Sequence, residues 1–150
     1  MLENAVLKCP EALWLAGTPN RFWHIAYHGL FYTHFYLQKA DKPFVPWPKH
    51  QPDSQYLGPR PWDPEGRPRA IVPYTKEEIL EYHRFCLAEV SSRIPLLDMD
   101  APSGFGWLPF GTFEVQVYSL RHLAHHTAQL IERLRTSAGI GVAWAVGRAG

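Results

Sequence analysis

Proline decides where this chain can be helical. Fourteen prolines occur in 150 residues, and nine of them crowd between Pro43 and Pro73. Proline lacks a backbone donor and clashes with the preceding turn, so helices are confined to the Pro-free stretches 20–42, 74–94 and 110–150. Pro10 and Pro19 interrupt the opening segment, and Pro95, Pro102 and Pro109 mark a turn region with Gly104 and Gly106. The length is that of one domain, 1–150, with enough chain to bury a core.

Each Pro-free stretch has helical wording. Thr75-Lys76-Glu77-Glu78 reads as a capping box ahead of Ile79, Tyr82, Phe85 and Leu87, which predicts a helix over 75–93. Leu120, Leu123, Thr127, Leu130, Ile131 and Leu134 recur at helical spacing, and Arg133, Arg135 and Gly139 supply stop signals, so a helix is predicted over 112–137. Asn20 is placed to cap a helix over 21–38 that is apolar nearly all round. Such a helix must be buried by its own bundle or by a second subunit, and a homodimer through it or its neighbours is expected. The segment 2–16 is a weaker helix that Pro10 kinks. Four helices and no convincing strand predict an all-α four-helix bundle. The connector over 39–74, about 36 residues with its Pro-rich part at 43–74, is long enough to cross the bundle between the second and third helices. Its Phe44, Trp47, Tyr56 and Trp62 predict that it packs down, either as a lid over a site or as a wrap elsewhere.

Composition closes off several functions. Fifteen basic against fourteen acidic residues leave a net charge of +1, which gives no footprint for nucleic acid or an anionic membrane. No apolar run approaches the roughly 18 residues of a membrane span. Glu3, Lys8 and Glu11 around the short run 12–16 do not read as a signal peptide. Cys9 and Cys86 make a poor disulfide framework and suit a reducing cytoplasm.

Histidine is the outlying residue, with eight in all and three inside the words His122-Leu-Ala-His125-His126. His122 and His126 are four apart, and about 400° of rotation puts them on nearly one line of a helix. That is the spacing by which one helix offers two imidazoles to a metal. His126 lies nearest the Leu120/Leu123/Thr127/Leu130/Leu134 face with His122 at its margin, whereas His125 points to the surface. The second helix offers His24, His28 and His34 as a third ligand. His24 and His28 share a line, and His34 points away. Histidines hydrogen-bonded to tyrosine hydroxyls in the core are the plainer alternative, and His50 and His83 read as structural or surface residues.

At these words the chain resembles the DinB/YfiT-like superfamily of small bacterial four-helix proteins. The resemblance rests on Trp23-His24-Ile25-Ala26-Tyr27-His28, then on His122-x-x-x-His126-x-x-Gln129 and Leu134-Arg135 before Gly139. It implies an up-down-down-up bundle and commonly a homodimer. It also implies a divalent metal held by His28, His122 and His126 with solvent in the remaining positions. Zinc or nickel is the expected ion, with iron or manganese as alternatives. Some members of the superfamily are thiol-S-transferases or isomerases that use low-molecular-weight thiols. A metal-dependent enzyme acting on a small substrate, by thiol transfer or hydrolysis, is therefore expected. The alternative is a non-catalytic protein whose metal clamps the second and fourth helices.

Other motifs carry little. Gly139-x-Gly141 follows a helix rather than a strand and fails as a dinucleotide fingerprint. Ser119 near His122 lacks an orienting carboxylate and reads as polar helix surface. Glu114 reads as an acid stabilising the first turn of its helix.

Overall fold

A computed structural model describes residues 1–17, 20–38, 43–60, 62–65 and 71–147. Pro19, Pro61 and Pro68, and the connector positions 39–42 and 66–70, lie outside the described residues. The chain forms α1 (Leu2–Lys8), α2 (Glu11–Trp14), α3 (Phe22–Phe35), α4 (Lys76–Arg93) and α5 (Thr112–Ala138), with a 3-10 turn at Ile94–Leu96. No strand occurs among the described residues. The all-α expectation holds, but the opening helix is two short ones, because the chain turns extended at Cys9 and Pro10.

Three of the helix ends follow local chemistry. The Thr75 hydroxyl accepts from the Glu78 amide while the Glu78 carboxylate accepts from the Thr75 amide, completing the capping box of α4. At α5 the Glu114 carboxylate accepts from the Gly111 amide at 2.8 Å, so this acid does stabilise the first turn. Gly139 closes α5 in the left-handed region at φ 67°, where a side chain would be strained. The start of α3 differs from expectation. Arg21, extended at ψ 159°, is its N-cap, and no side chain caps it. Asn20 instead has a buried Oδ1 without a partner among the described residues, and its carbonyl accepts from Arg133. The helix also ends at Phe35 rather than Gln38, giving way to a turn.

Helix α3 sits at the centre, packed against α4 on one side and α5 on the other, with α1 against both of those. Ten of its fourteen residues are buried, and none is exposed. Its all-round apolar wording is thus satisfied within the one chain, by α4, α5 and the connector. Gly29 allows the close approach of α5: a Cβ there would meet Leu123 Cδ1 at 3.3 Å and His126 Cβ at 3.7 Å.

The inward line of α5 runs through Val115, Ser119, His126, Leu130 and Leu134. Two expectations fail here. Ser119 is buried rather than on the surface, and Leu120 is 68% exposed rather than in the core. Thr127, Leu130 and Leu134 of the expected face do point inward, but the face extends toward Ser119 and His126, and Leu120 lies beyond its margin. Phe113, Val117 and Leu120 consequently form an exposed apolar stripe.

The connector packs down through some of its aromatics. Trp47 is 3% exposed and stacks on Tyr82 at 4.7 Å between centroids. Tyr74 stacks on Tyr27 at 4.7 Å, and its carbonyl accepts from the Trp14 indole at 2.8 Å. Trp62, expected to dock, is 67% exposed and meets only the edge of Tyr56 among the described rings.

Candidate metal centre

Three imidazoles converge where α3 meets α5. One ring nitrogen from each of His28, His122 and His126 lies within 4.8 Å of the others. His28 Nε2 is 3.0 Å from His122 Nε2, which is 3.2 Å from His126 Nε2. Helical spacing sets the second distance, and the α3–α5 contact beside Gly29 sets the first.

Hydrogen bonds fix which nitrogen faces inward in two of the three rings. The His28 Nδ1–H donates to the Gln55 carbonyl at 2.6 Å, so its Nε2 carries a bare lone pair. The His126 Nδ1–H donates to Gln129 Oε1 at 2.8 Å, with the same result. His122 Nε2 therefore faces two lone pairs, and its own Nδ1 is buried without a partner among the described residues. One proton on His122 Nε2 serves two acceptors poorly. A cation serves all three nitrogens. Ligands about 2.0–2.1 Å from a zinc-like ion sit roughly 2.9–3.4 Å apart for angles between square and tetrahedral, which brackets both spacings.

Electrostatics keep the rings in their ligating form. Burial, aided by the neighbouring imidazoles, pushes His28 down to about 3 and His122 to about 4. Burial lowers His126 as well, against the opposing effect of its hydrogen bond to Gln129. All three rings are neutral near pH 7, and a neutral imidazole is what a metal requires. Tyr32 packs beside the trio, 4.8 Å from the His28 ring and 5.2 Å from that of His122.

The other histidines separate as follows. His24 is buried, and its Nε2–H donates to the Ser54 carbonyl at 2.9 Å, outside the cluster. His125 is exposed, touching only the edge of His126 among the described rings. His34 turns to the opposite side, against Tyr82 and Glu89. His50 accepts from the Tyr27 hydroxyl at 2.6 Å, a structural role. His83 is half-buried on α4.

Sequence reasoning gave no role to Gln55 or Gln129. The i+3 spacing from His126 to Gln129 on one helix face was the available signal for the second. Nothing in the sequence marks Gln55, which acts through its backbone. The left-handed turn at Asp53, φ 70°, swings the connector so that the Ser54 and Gln55 carbonyls meet His24 and His28. Asp tolerates that conformation better than most residues.

Two cavities lie elsewhere, against the loop between the 3-10 turn and α5, and neither is lined by the trio. No helix among the described residues is long and apolar enough to cross a membrane. Compared with known proteins, the chain matches no family model, no curated protein and no solved structure.

Proposed function

We propose that His28, His122 and His126 hold one divalent metal ion, zinc or nickel ahead of iron or manganese, in a DinB-like metal-dependent enzyme. Its reaction on a small substrate is thiol transfer or hydrolysis. The observation that carries this reading is the pair of fixed tautomers. Gln55 and Gln129 each occupy an Nδ1 hydrogen, so the Nε2 lone pairs of His28 and His126 converge on His122. Imidazole sets of this kind suit borderline metals. When bound, the ion supplies the Lewis acidity that lowers the pKa of a bound water or low-molecular-weight thiol. The chain's own part is to keep three rings neutral by burial, to aim them, and to wall one side with Tyr32.

Among the described residues the cluster offers three donors and no fourth, which favours an open site over a closed structural one. The second reading is a clamp that joins α3 to α5. Its support is that the trio spans the contact between those two helices. Addition of a thiol to the nickel-loaded protein separates the two readings, because a sulfur-to-metal absorption band appears only if a coordination position is open.

On the same reading the bundle runs up-down-down-up with residues 43–74 as its crossover. Two free, buried cysteines fit a cytoplasmic protein. The exposed stripe of Phe113, Val117 and Leu120 is the surface on which a homodimer would form. The deciding experiment is elemental analysis of protein purified without a His tag. One ion per chain is expected, lost from His122→Ala and His126→Ala and retained by His125→Ala. Equal loss from His125→Ala overturns the assignment.

A further inference from the structure

Two of the three imidazoles are aimed by hydrogen bonds and the third is not. The Gln55 carbonyl holds His28 and the Gln129 side chain holds His126, while His122 Nδ1 is buried without a partner among the described residues. Ligating histidines almost always have such a partner, which fixes the ring. Helical spacing fixes where His122 leaves α5, but not the angle of its ring about χ1 and χ2. Packing has to supply that angle.

The packing comes from two facing rows of rings. Helices α3 and α5 run antiparallel: Gly29 lies against Leu123 and His126, and further along α3 the Tyr36 carbonyl accepts from Gln116 at 3.0 Å. Spacing by four puts His28, Tyr32 and Tyr36 on one line of α3, and His126, His122 and Tyr118 on one line of α5. Tyr32 is thereby set against His122, with centroids 5.2 Å apart and planes at 73°, an edge contact. Tyr32 also meets His28 at 4.8 Å, and His28 meets His122 at 4.9 Å, so these three rings form a nearly equilateral triangle. Among the described rings His122 touches His28, His126 and Tyr32, and of these Tyr32 alone is not a candidate ligand. Tyr32 is held in turn, by Phe31 at 5.4 Å and Tyr36 at 5.8 Å. Edge contacts of this kind are favourable beyond the area they bury, and they prefer particular angles.

We propose that Tyr32 is the positioning residue for His122, holding that imidazole by ring packing where the other two are held by hydrogen bonds. This inference rests on the three-histidine reading of the site.

The test loads the full chain, and its Tyr32→Phe and Tyr32→Leu variants, with cobalt(II), whose visible bands follow the arrangement of its ligands. Tyr32→Leu keeps apolar bulk without a ring. It should bind cobalt about tenfold more weakly, the lower end of what losing an orienting partner costs, and its bands should shift at saturation. Tyr32→Phe restores the ring and should restore both affinity and bands. A Tyr32 that only filled space would leave the bands of the saturated protein where they are. Unchanged affinity or unchanged bands in Tyr32→Leu overturns the proposal, and so does a Tyr32→Phe variant that behaves like Tyr32→Leu. An unaltered chain that binds no cobalt overturns the three-histidine reading itself, and the proposal with it. A measurement on the unaltered, metal-free chain decides even if Tyr32→Leu fails to fold. Its NMR spectra should show one orientation of the His122 ring, with cross-relaxation between His122 and Tyr32 ring protons. A His122 ring averaged over several rotamers overturns the proposal.

Discussion

His28 donates its Nδ1 hydrogen to the carbonyl of Gln55, at 2.6 Å, across a sequence separation of 27 residues. A backbone atom of the connector thereby sets the tautomer of a side chain on α3. The partner on α5 is a side chain, Gln129, and so can be altered by substitution. Gln129→Leu frees the His126 ring to rotate and exchange tautomers. Metal affinity should fall by about 10–100-fold, the usual cost of losing a ligand's orienting partner. Competition against a chromophoric chelator measures it.

Acid should release the metal late. With His28 near 3 and His122 near 4, protons compete for these rings only well below neutrality. Since burial lowers His126 too, apparent affinity should persist to lower pH than at an exposed site, which would weaken from about 6.5. Metal titrations in buffers spanning this range test the point.

His34 carries a separate pH dependence, of stability. It is 1% exposed, and burial lowers it from 6.5 to about 4, with Glu89 opposing. Between those values the unfolded chain binds the extra proton, so stability rises with pH through this window. The contribution is complete above about 6.5 and lost by about 4, and amounts to at most about 3 kcal/mol. Urea unfolding at several pH values should show the slope, and His34→Gln should flatten it.

Trp47 and Trp62 belong to one loop but differ in burial. Trp47→Ala removes a ring stacked on Tyr82 and should cost about 3–5 kcal/mol. Trp62→Ala should stay within about 0.5 kcal/mol, as at other exposed positions. Thermal or urea unfolding measures both.

Association should depend on α5. Leu120→Lys puts a charge in the exposed stripe and should shift the mass seen by light scattering from dimer toward monomer at micromolar concentration. A monomeric mass for the unaltered chain would remove the homodimer from the proposed function.

Helix positions were legible because their signals are local. Thr75 with Glu78 marked one start, Gly139 marked one end, and the proline gaps bounded the rest. The inward direction of His122 and His126 was legible from spacing, and the outward direction of His125 from its offset. Asn20 as a cap was not, since the chain around it is held by the long-range contact of Arg133 with its carbonyl. Leu120 misled because periodicity fixes a stripe only to within a residue, and tertiary packing chose Ser119 as the neighbour to bury. Spacing left the choice between His24 and His28 open, and only the resemblance favoured His28. Both donate to the connector, to adjacent carbonyls, and only the pitch of α3 against α5 brings one of them to His122.

Adjacent carbonyls of Ser54 and Gln55 grip two histidines one helical turn apart. That makes connector docking and ion affinity two faces of one thermodynamic cycle. Whatever an ion gains from a His28 ring already aimed by Gln55, the docked connector gains back from the ion by the same factor. Protease cutting within residues 43–65 should therefore slow when metal is added. In His24→Ala, where one of the two grips is gone, the ion should bind more weakly although His24 never touches it.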